Sequence, residues 1–419
     1  MTREELRGSR ALLREFLKRY RGHLGRKEVQ ALVETYVTGL LSDTRKRNAE
    51  AMALEIGGAR VRALQRLLVS AKWNEAGVVA ERQRHVAEIM GSPEGIFVVD
   101  DTGFAKSGNS SCGVGRQYSG TLGKVDNCQI GVFLGYAVSG TGHTLLDRRL
   151  YLQEDWFASE MKELRTRARM PEGVMFRTKH ELALEMIEAA RGMGVPHSWV
   201  NMDADYGKVP KFLDALHDLS ERYAAQVPSS TQVWTEKPRT HIPCRQSGRG
   251  RRPTRLRLVK GAPKSKSVKV VADALPVKAF KSAILREGEK GPIRVEVAAL
   301  RIWNKRGDIP GREEWLVVVR RFGQRPETKY ILSNAPSDVS RMEIAQAGLA
   351  RWTEEQCFEQ GKDDLGLAEY QTKTWPGWYR HTALVMAAHS FLIGMELSGK
   401  KRIGAGDDTA DQGRRRTGT

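Results

Sequence analysis

Between residue 1 and about residue 92, apolar positions recur every three or four residues among basic and acidic ones. EVQALVETYVTGLL and AMALEIGGARVRALQRLLVSA are examples. That period predicts amphipathic helices. Gly57-Gly58 and Gly91-Ser92-Pro93 punctuate the run, and Pro93 marks the end expected for a first domain. At Ile96 the period changes. IFVV is short and wholly apolar, as a central buried strand should be. A Gly/Ser-rich stretch, residues 107–124, reads as a loop. QIGVFLGYAV and HTLLDRRLYL then predict two strands antiparallel to each other. KHELALEMIEAARGMG predicts a helix closed by glycine, HSWVNMDADYG a strand, VPKFLDALHDL a helix and RYAAQVP a strand.

The pattern then departs. Residues 229–328 are basic and rich in Pro, Gly and Arg, with strand-like pieces SVKVVADAL, RVEVAALRIW and EEWLVVVRRF. They are expected to form a β-rich insertion. KYILSNAP resumes an apolar strand, and Asp338 to Asp363 carries a long helical pattern. The organisation expected is a helical, DNA-binding domain over 1–92, a first part of an α/β core over 93–228 and the insertion over 229–328. C-terminal core helices over 329–397 and a basic tail over 398–419 complete it. The tail has few large apolar residues, which predicts disorder. The first domain shows no strong helix-turn-helix signature, so a plain structural bundle reads as well there.

Charge sharpens the picture. Lys and Arg number 69 against 50 Asp and Glu, a formal net charge of +19 over 419 residues. Between Lys237 and Lys269 stand twelve Lys or Arg, Arg249, Arg251 and Arg252 among them, and no acidic residue. Such a strip favours a polyanion, and nucleic acid before a membrane surface. No stretch reaches the roughly 18 uninterrupted apolar residues of a membrane span. The charged N-terminus lacks the apolar core of a signal peptide, so a cytoplasmic address is expected, with no membrane partner. Four cysteines without a CxxC pair predict reduced thiols and no structural zinc.

The chemistry-bearing residues stand at strand ends. In FVVDDTG two carboxylates follow an apolar run; strand alternation lets one of Asp100 and Asp101 point into a given site. Asp203 ends the strand in VNMDADYG, with Asp205 as its same-face neighbour. Three strands, a helix and a fourth strand, with acids at two strand ends, form the layout of a ribonuclease H-like domain. That chemistry uses two divalent ions roughly 4 Å apart, held by hard oxygen donors. A third acid would come from a helix. In ARWTEEQCFEQGKDDLGL, Arg351, Glu355 and Lys362 lie at offsets of 4 and 7, nearly one helical face. Taken singly, each aspartate also reads as a cap. The helix face also reads as an ion-paired solvent surface.

Across about residues 15–397 the chain resembles the DDE transposases of bacterial insertion sequences. DDTGFAKSG, GVGRQYSGTLGKVDNCQIGV, DADYG and ARWTEEQCFEQGKDDLGLAEYQTKTWPGWYRH carry the resemblance. It implies a ribonuclease H-like core with a β-rich insertion before the last catalytic helix. It implies Asp101, Asp203 and Glu355 as metal ligands, with two Mg²⁺ that Mn²⁺ can replace. Arg351 and Lys362 match further members of the helix motif and would touch DNA, as would Arg116. Gly348 stands where the family has tyrosine, a departure from the pattern. The implied partners are double-stranded transposon ends and target DNA, with a homodimer in the DNA complex and a nucleoid-associated location. The implied reaction is cleavage and strand transfer. A DNA-binding descendant that no longer cuts, or an endonuclease that does not join, stays open beside it.

Overall fold

The computed structural model describes residues 3–244, 252–288, 291–322, 326–350 and 352–414. The chain opens with six helices: α1 (Arg3–Lys18), α2 (Arg21–Leu24), α3 (Lys27–Leu40), α4 (Ala49–Ile56), α5 (Val61–Val69) and α6 (Glu75–Met90). Strands β1 (Ile96–Ala105), β2 (Gly115–Ser119), β3 (Lys124–Val138) and β4 (Gly142–Tyr151) follow, then α7 (Lys162–Arg167) and α8 (Lys179–Gly192). Next come β5 (Trp199–Met202), α9 (Ala204–Gly207), α10 (Pro210–Asp218), β6 (Tyr223–Val227) and β7 (Gln232–Trp234). Short strands β8 (Thr240–His241), β9 (Arg257–Leu258) and β10 (Lys266–Ser267) precede α11 (Val268–Asp273). The chain ends through β11 (Lys281–Gly288), β12 (Gly291–Arg306), β13 (Ile309–Arg321), β14 (Glu327–Ser333), α12 (Arg341–Leu349), α13 (Trp352–Glu359) and α14 (Trp375–Arg414). The protein is a mixed α/β molecule.

It divides into two compact units. The first comprises Met1–Gly95, Asp100–His197 and Thr353–Thr419. Here β2 and β4 both pair antiparallel with β3, and β1 lies beside β3. Helix α14 packs on α3, α5, α6 and β4, so the opening helices share one apolar core with the strands. Arg82, fully buried on α6, ties three elements together. It donates to the carbonyls of Leu145 and Leu146 and to Ser390 Oγ. Asn48 and Asn74 cap α4 and α6 by accepting backbone N–H bonds, as N-cap residues do. The segment Trp375–Gly399 of α14 is long and apolar enough to cross a membrane, but 61% of its most apolar window is buried inside the protein. The helix continues to Arg414, through residues whose composition predicts disorder.

The second unit comprises Ile96–Val99 and Ser198–Trp352. Its sheet is large and mixed, in the order β10-β7-β12-β13-β14-β6-β5-β1, with β11 on β12. Strands β1, β5 and β6 run parallel; β14, β13 and β12 continue antiparallel. Short parallel strands buried on both faces explain why IFVV is apolar without alternation and why all four residues of WVNM are buried, Asn201 among them with its amide donating to the Ala347 carbonyl at 2.6 Å. Helix α12 places Ile344, Ala345 and Ala347 against Val317 and Ile331 in this unit's core.

Three expectations change. SVKVVADAL is not a strand: Ser267 caps α11, whose buried Val268, Val271 and Ala272 follow helical spacing. The valines' strand preference yields to that burial pattern. The 107–124 loop holds β2, which pairs residue for residue with β3 from Gly115↔Cys128 to Ser119↔Lys124. The long helix over 338–363 is two helices, with a five-residue π-helical turn, Gln360–Asp364, after the second.

Candidate active site

Strand β1 delivers both aspartates half-buried, and they do different things. Asp100 Oδ1 accepts the backbone N–H of Asp101 at 2.8 Å, a local turn of the side chain onto its own strand. Asp101 holds an ammonium: Lys179 Nζ lies 3.0 Å from Oδ1 and 2.9 Å from Oδ2. Lys179 is the first residue of α8, whose start is set by a capping box between Thr178 and Glu181. The Tyr151 ring lies 5.7 Å from the same Nζ. Burial raises the Tyr151 pKa, and the charge of Asp101 adds to the effect.

The next residue of the motif is used as well. Thr102 Oγ1 accepts a 2.6 Å bond from Lys362 Nζ and sits 3.0 Å from Thr121 Oγ1. Burial lowers the Lys362 pKa, against the raising influence of Asp363 and Asp100. The π-turn that carries Lys362 is held from the helical region: Arg47 donates to the carbonyls of Asp363 at 3.0 Å and Leu40 at 3.1 Å. Gly103 completes the motif because a Cβ there would stand 2.1 Å from Ser119 Oγ.

In the other unit, Asp203 follows β5 directly and caps α9. Its Oδ1 accepts N–H bonds from Asp205 at 2.9 Å and Tyr206 at 3.2 Å. DADYG is therefore a local device. Tyr206 is buried, and a Cβ on Gly207 would lie 2.0 Å from the backbone oxygen of Gln226. Within this unit Val99 pairs with Met202. Along the chain Asp101 comes two residues after the one, and Asp203 one residue after the other. Gly348, where the resemblance expects tyrosine, is buried in α12. A Cβ there would meet Ile331 Cδ1 at 2.6 Å, so this site has no room for a ring.

Arg249, Arg251 and Arg351 lie outside the described residues, as does the side chain of Glu355. Arg252 is exposed, and Arg116 is exposed on β2. Among the described residues no group of three or more His, Cys, Asp or Glu side chains is gathered to hold an ion. Trp234 is buried, with its ring N–H on the Pro263 carbonyl at 2.8 Å. His381 is also buried. Its Nε2 faces the Gly366 carbonyl at 3.1 Å and its Nδ1 the Tyr36 hydroxyl at 2.9 Å, so it is a neutral structural histidine. Sequence reasoning missed Lys179. The available signal was a lysine in the first turn of a helix, where the dipole disfavours a cation.

The family model described as DDE superfamily endonuclease matches residues 19–292. The chain belongs to that family. The stretch matched by this DDE endonuclease includes Asp101 and Asp203 and stops short of Glu355 and Lys362. A curated relative, the probable transposase for insertion sequence element IS701 of Microchaete diplosiphon, is 24% identical over 340 residues, covering 81% of this chain and 76% of that protein. Among solved structures, the piggyBac transposase synaptic complex with hairpin DNA matches 89% of this chain at 11% identity and a TM-score of 0.42. The chain spans 66% of that protein, just under two thirds of its length.

Proposed function

We propose that this DDE endonuclease is an insertion-sequence transposase with a ribonuclease H-like core, which cuts DNA at the element's ends and joins them to a target. The reading is carried by the DDE-family match over residues 19–292, which spans Asp101 and Asp203, beside the parallel pairing of β1 and β5, in which Asp100 follows Val99 and Asp203 follows Met202. Asp101, Asp203 and Glu355 would hold two Mg²⁺, or Mn²⁺ in their place. The donors suit that group: they are hard carboxylate oxygens, and Asp101 already grips a cation with both of its oxygens. When bound, such ions activate the attacking oxygen and stabilise the leaving one.

The chain's own residues do the rest. Asp203, fixed by two backbone N–H bonds, keeps its orientation through the reaction. Lys362, tethered to Thr102 on the face of β1 that also carries Asp100, would offer a poorly hydrated ammonium to a phosphate oxygen, where charge grows in the transition state. Arg351 would share that role. Arg116, Arg252 and the neighbouring Arg249 and Arg251 would bind the DNA backbone. Water displaces a 3′-oxygen at the element's end, and the freed 3′-hydroxyl then attacks a phosphodiester of the target, displacing the target strand's own 3′-oxygen as its new hydroxyl. Pairing two ends calls for a homodimer in the DNA complex, on the nucleoid of a bacterial cell.

The test is cleavage of end DNA with Mg²⁺. Asp101→Asn, Asp203→Asn and Glu355→Gln should each cut at least about a hundredfold more slowly, since even outer-shell partners of a metal site cost 10- to 100-fold. End binding should stay within a few-fold of wild type. A variant that cuts at the normal rate removes its residue from the site. Ends cut but never joined would make the protein an endonuclease alone.

A further inference from the structure

Beyond Thr102, the same face of β1 leads to a second lysine. Phe104 and Lys106 share the parity of Thr102, and the Lys106 N–H still bonds the Asn127 carbonyl at 3.0 Å, so the extended run reaches it. The segment that follows the π-turn lies along this face. Lys362 Nζ bonds Thr102, the Tyr370 ring stands edge-on to Phe104 at 5.7 Å, and Lys106 Nζ sits 3.7 Å from the centre of the Tyr370 ring. We propose that Lys106 is a DNA-backbone contact, its ammonium held ready for a phosphate on the face of β1 that also carries Lys362. The inference rests on the reading of this protein as one that binds and cuts DNA.

The ammonium is underpaired. Besides the ring it has one long bond, to the Tyr370 carbonyl at 3.4 Å, and among the described residues no carboxylate pairs with it. A half-buried cation without a counter-charge is costly, and a ring face offsets only part of that cost. Burial pushes the Lys106 pKa down to about 8. The titratable groups packed around it supply no charge. Burial raises the Tyr370 pKa well above its ordinary value, and burial keeps His381 on α14 neutral.

The backbone at this position is fixed. The Asn127 amide donates to the Lys106 carbonyl at 2.6 Å and to that of Gly108 at 3.3 Å, where the strand opens into exposed residues 107–109. Thr102 and Lys106 are four residues apart, roughly 13 Å along an extended strand. A DNA strand presents a phosphate about every 3.4 Å along the helix axis, so the two lysines would meet different phosphates of the backbone. An anion beside a lysine favours its charged form. DNA binding above pH 8 should therefore return a proton to Lys106.

Calorimetric titration of the full chain with a mixed-sequence DNA duplex, in two buffers of different ionisation enthalpy, reads that proton. At pH 8.5 wild type should take up as much as about three quarters of a proton more than Lys106→Arg, whose guanidinium stays charged throughout. Lys362 is present in both, so its own titration cancels. At pH 7, Lys106→Gln should bind the duplex about three- to tenfold more weakly and lower the log–log salt slope by about 0.9, the value of one phosphate. Lys106→Arg should keep both the affinity and the slope. Lys106→Met serves in the same assay if the glutamine variant does not fold. Equal proton uptake in wild type and Lys106→Arg, or an unchanged salt slope in the neutral variants, overturns Lys106 as a phosphate contact and leaves the DNA-cutting reading in place. Failure of wild type to bind the duplex overturns that reading, and this proposal with it.

Discussion

Asp100 and Asp101 are chemically identical neighbours, and the strand gives them different work. One accepts the next backbone N–H, and the other faces a lysine on α8. Strand alternation explains why the two cannot serve one site together. The same alternation puts Thr102, whose hydroxyl holds Lys362, on the face of Asp100 and not on that of Asp101. Lys362→Gln should therefore slow strand cleavage by about a hundredfold, the scale of losing one preorganised donor at developing charge. Thr102→Val should lose less, because the lysine keeps its charge and only its tether is gone. Single-turnover cleavage rates of the two variants decide the order; a slower Thr102→Val would make the hydroxyl, not the ammonium, the group that matters.

At the scale of elements, close approach sets the motifs. The glycine that ends DADYG lets α9 rest on the backbone of β6, and a methyl group there would sit 2.0 Å from a carbonyl oxygen. Gly207→Ala should cost about 1–3 kcal/mol, as overpacking does, and should also shift the turn that orients Asp203. Gly348→Ala should cost less, because its clash is with a side chain, Ile331 Cδ1 at 2.6 Å and Cγ2 at 2.9 Å, and not with backbone. Urea unfolding of both variants, beside their cleavage rates, checks the order. Equal stability would mean that α9 yields more easily than its contact with β6 implies. The break between α12 and α13 also belongs here. A periodic pattern from Asp338 to Asp363 does not register that Ala350 caps one helix, or that a π-turn re-aims Lys362.

Across the whole molecule, two buried histidines tie stability to pH. Burial lowers His381 to about 4 and His389 to about 3. Both stay neutral in the fold while an unfolded chain takes up protons near pH 6.5. Their contribution is thus intact above about pH 6.5 and is lost as pH falls towards 4. The slope approaches about 1.4 kcal/mol per pH unit for each histidine. Thermal unfolding between pH 7 and pH 5 should show this as a falling Tm, reduced in His381→Gln; a flat profile would mean that the imidazoles are reached by water. Charge acts at the same scale. With a net +19, DNA affinity should fall steeply with salt. Replacing Arg249, Arg251 and Arg252 with alanine should reduce the log–log slope by about 0.9 for each phosphate that is no longer neutralised. An unchanged slope would remove the basic strip from the interface.

Read alone, the sequence determined what depends on short range. Period changes marked the parallel strands and α8, because burial on both faces demands unbroken apolar runs and burial on one face demands a helical stripe. Charge imbalance pointed to a polyanion, since that balance is a sum over residues and needs no coordinates. The FVVDDTG and DADYG stretches were legible because their acids end apolar runs. Only tertiary structure decided which residues meet across the chain: Lys179 with Asp101, Arg47 with the Lys362 turn, Gly348 with Ile331. Those contacts join segments tens to hundreds of residues apart. Chain topology brings them together, and no local periodicity encodes them.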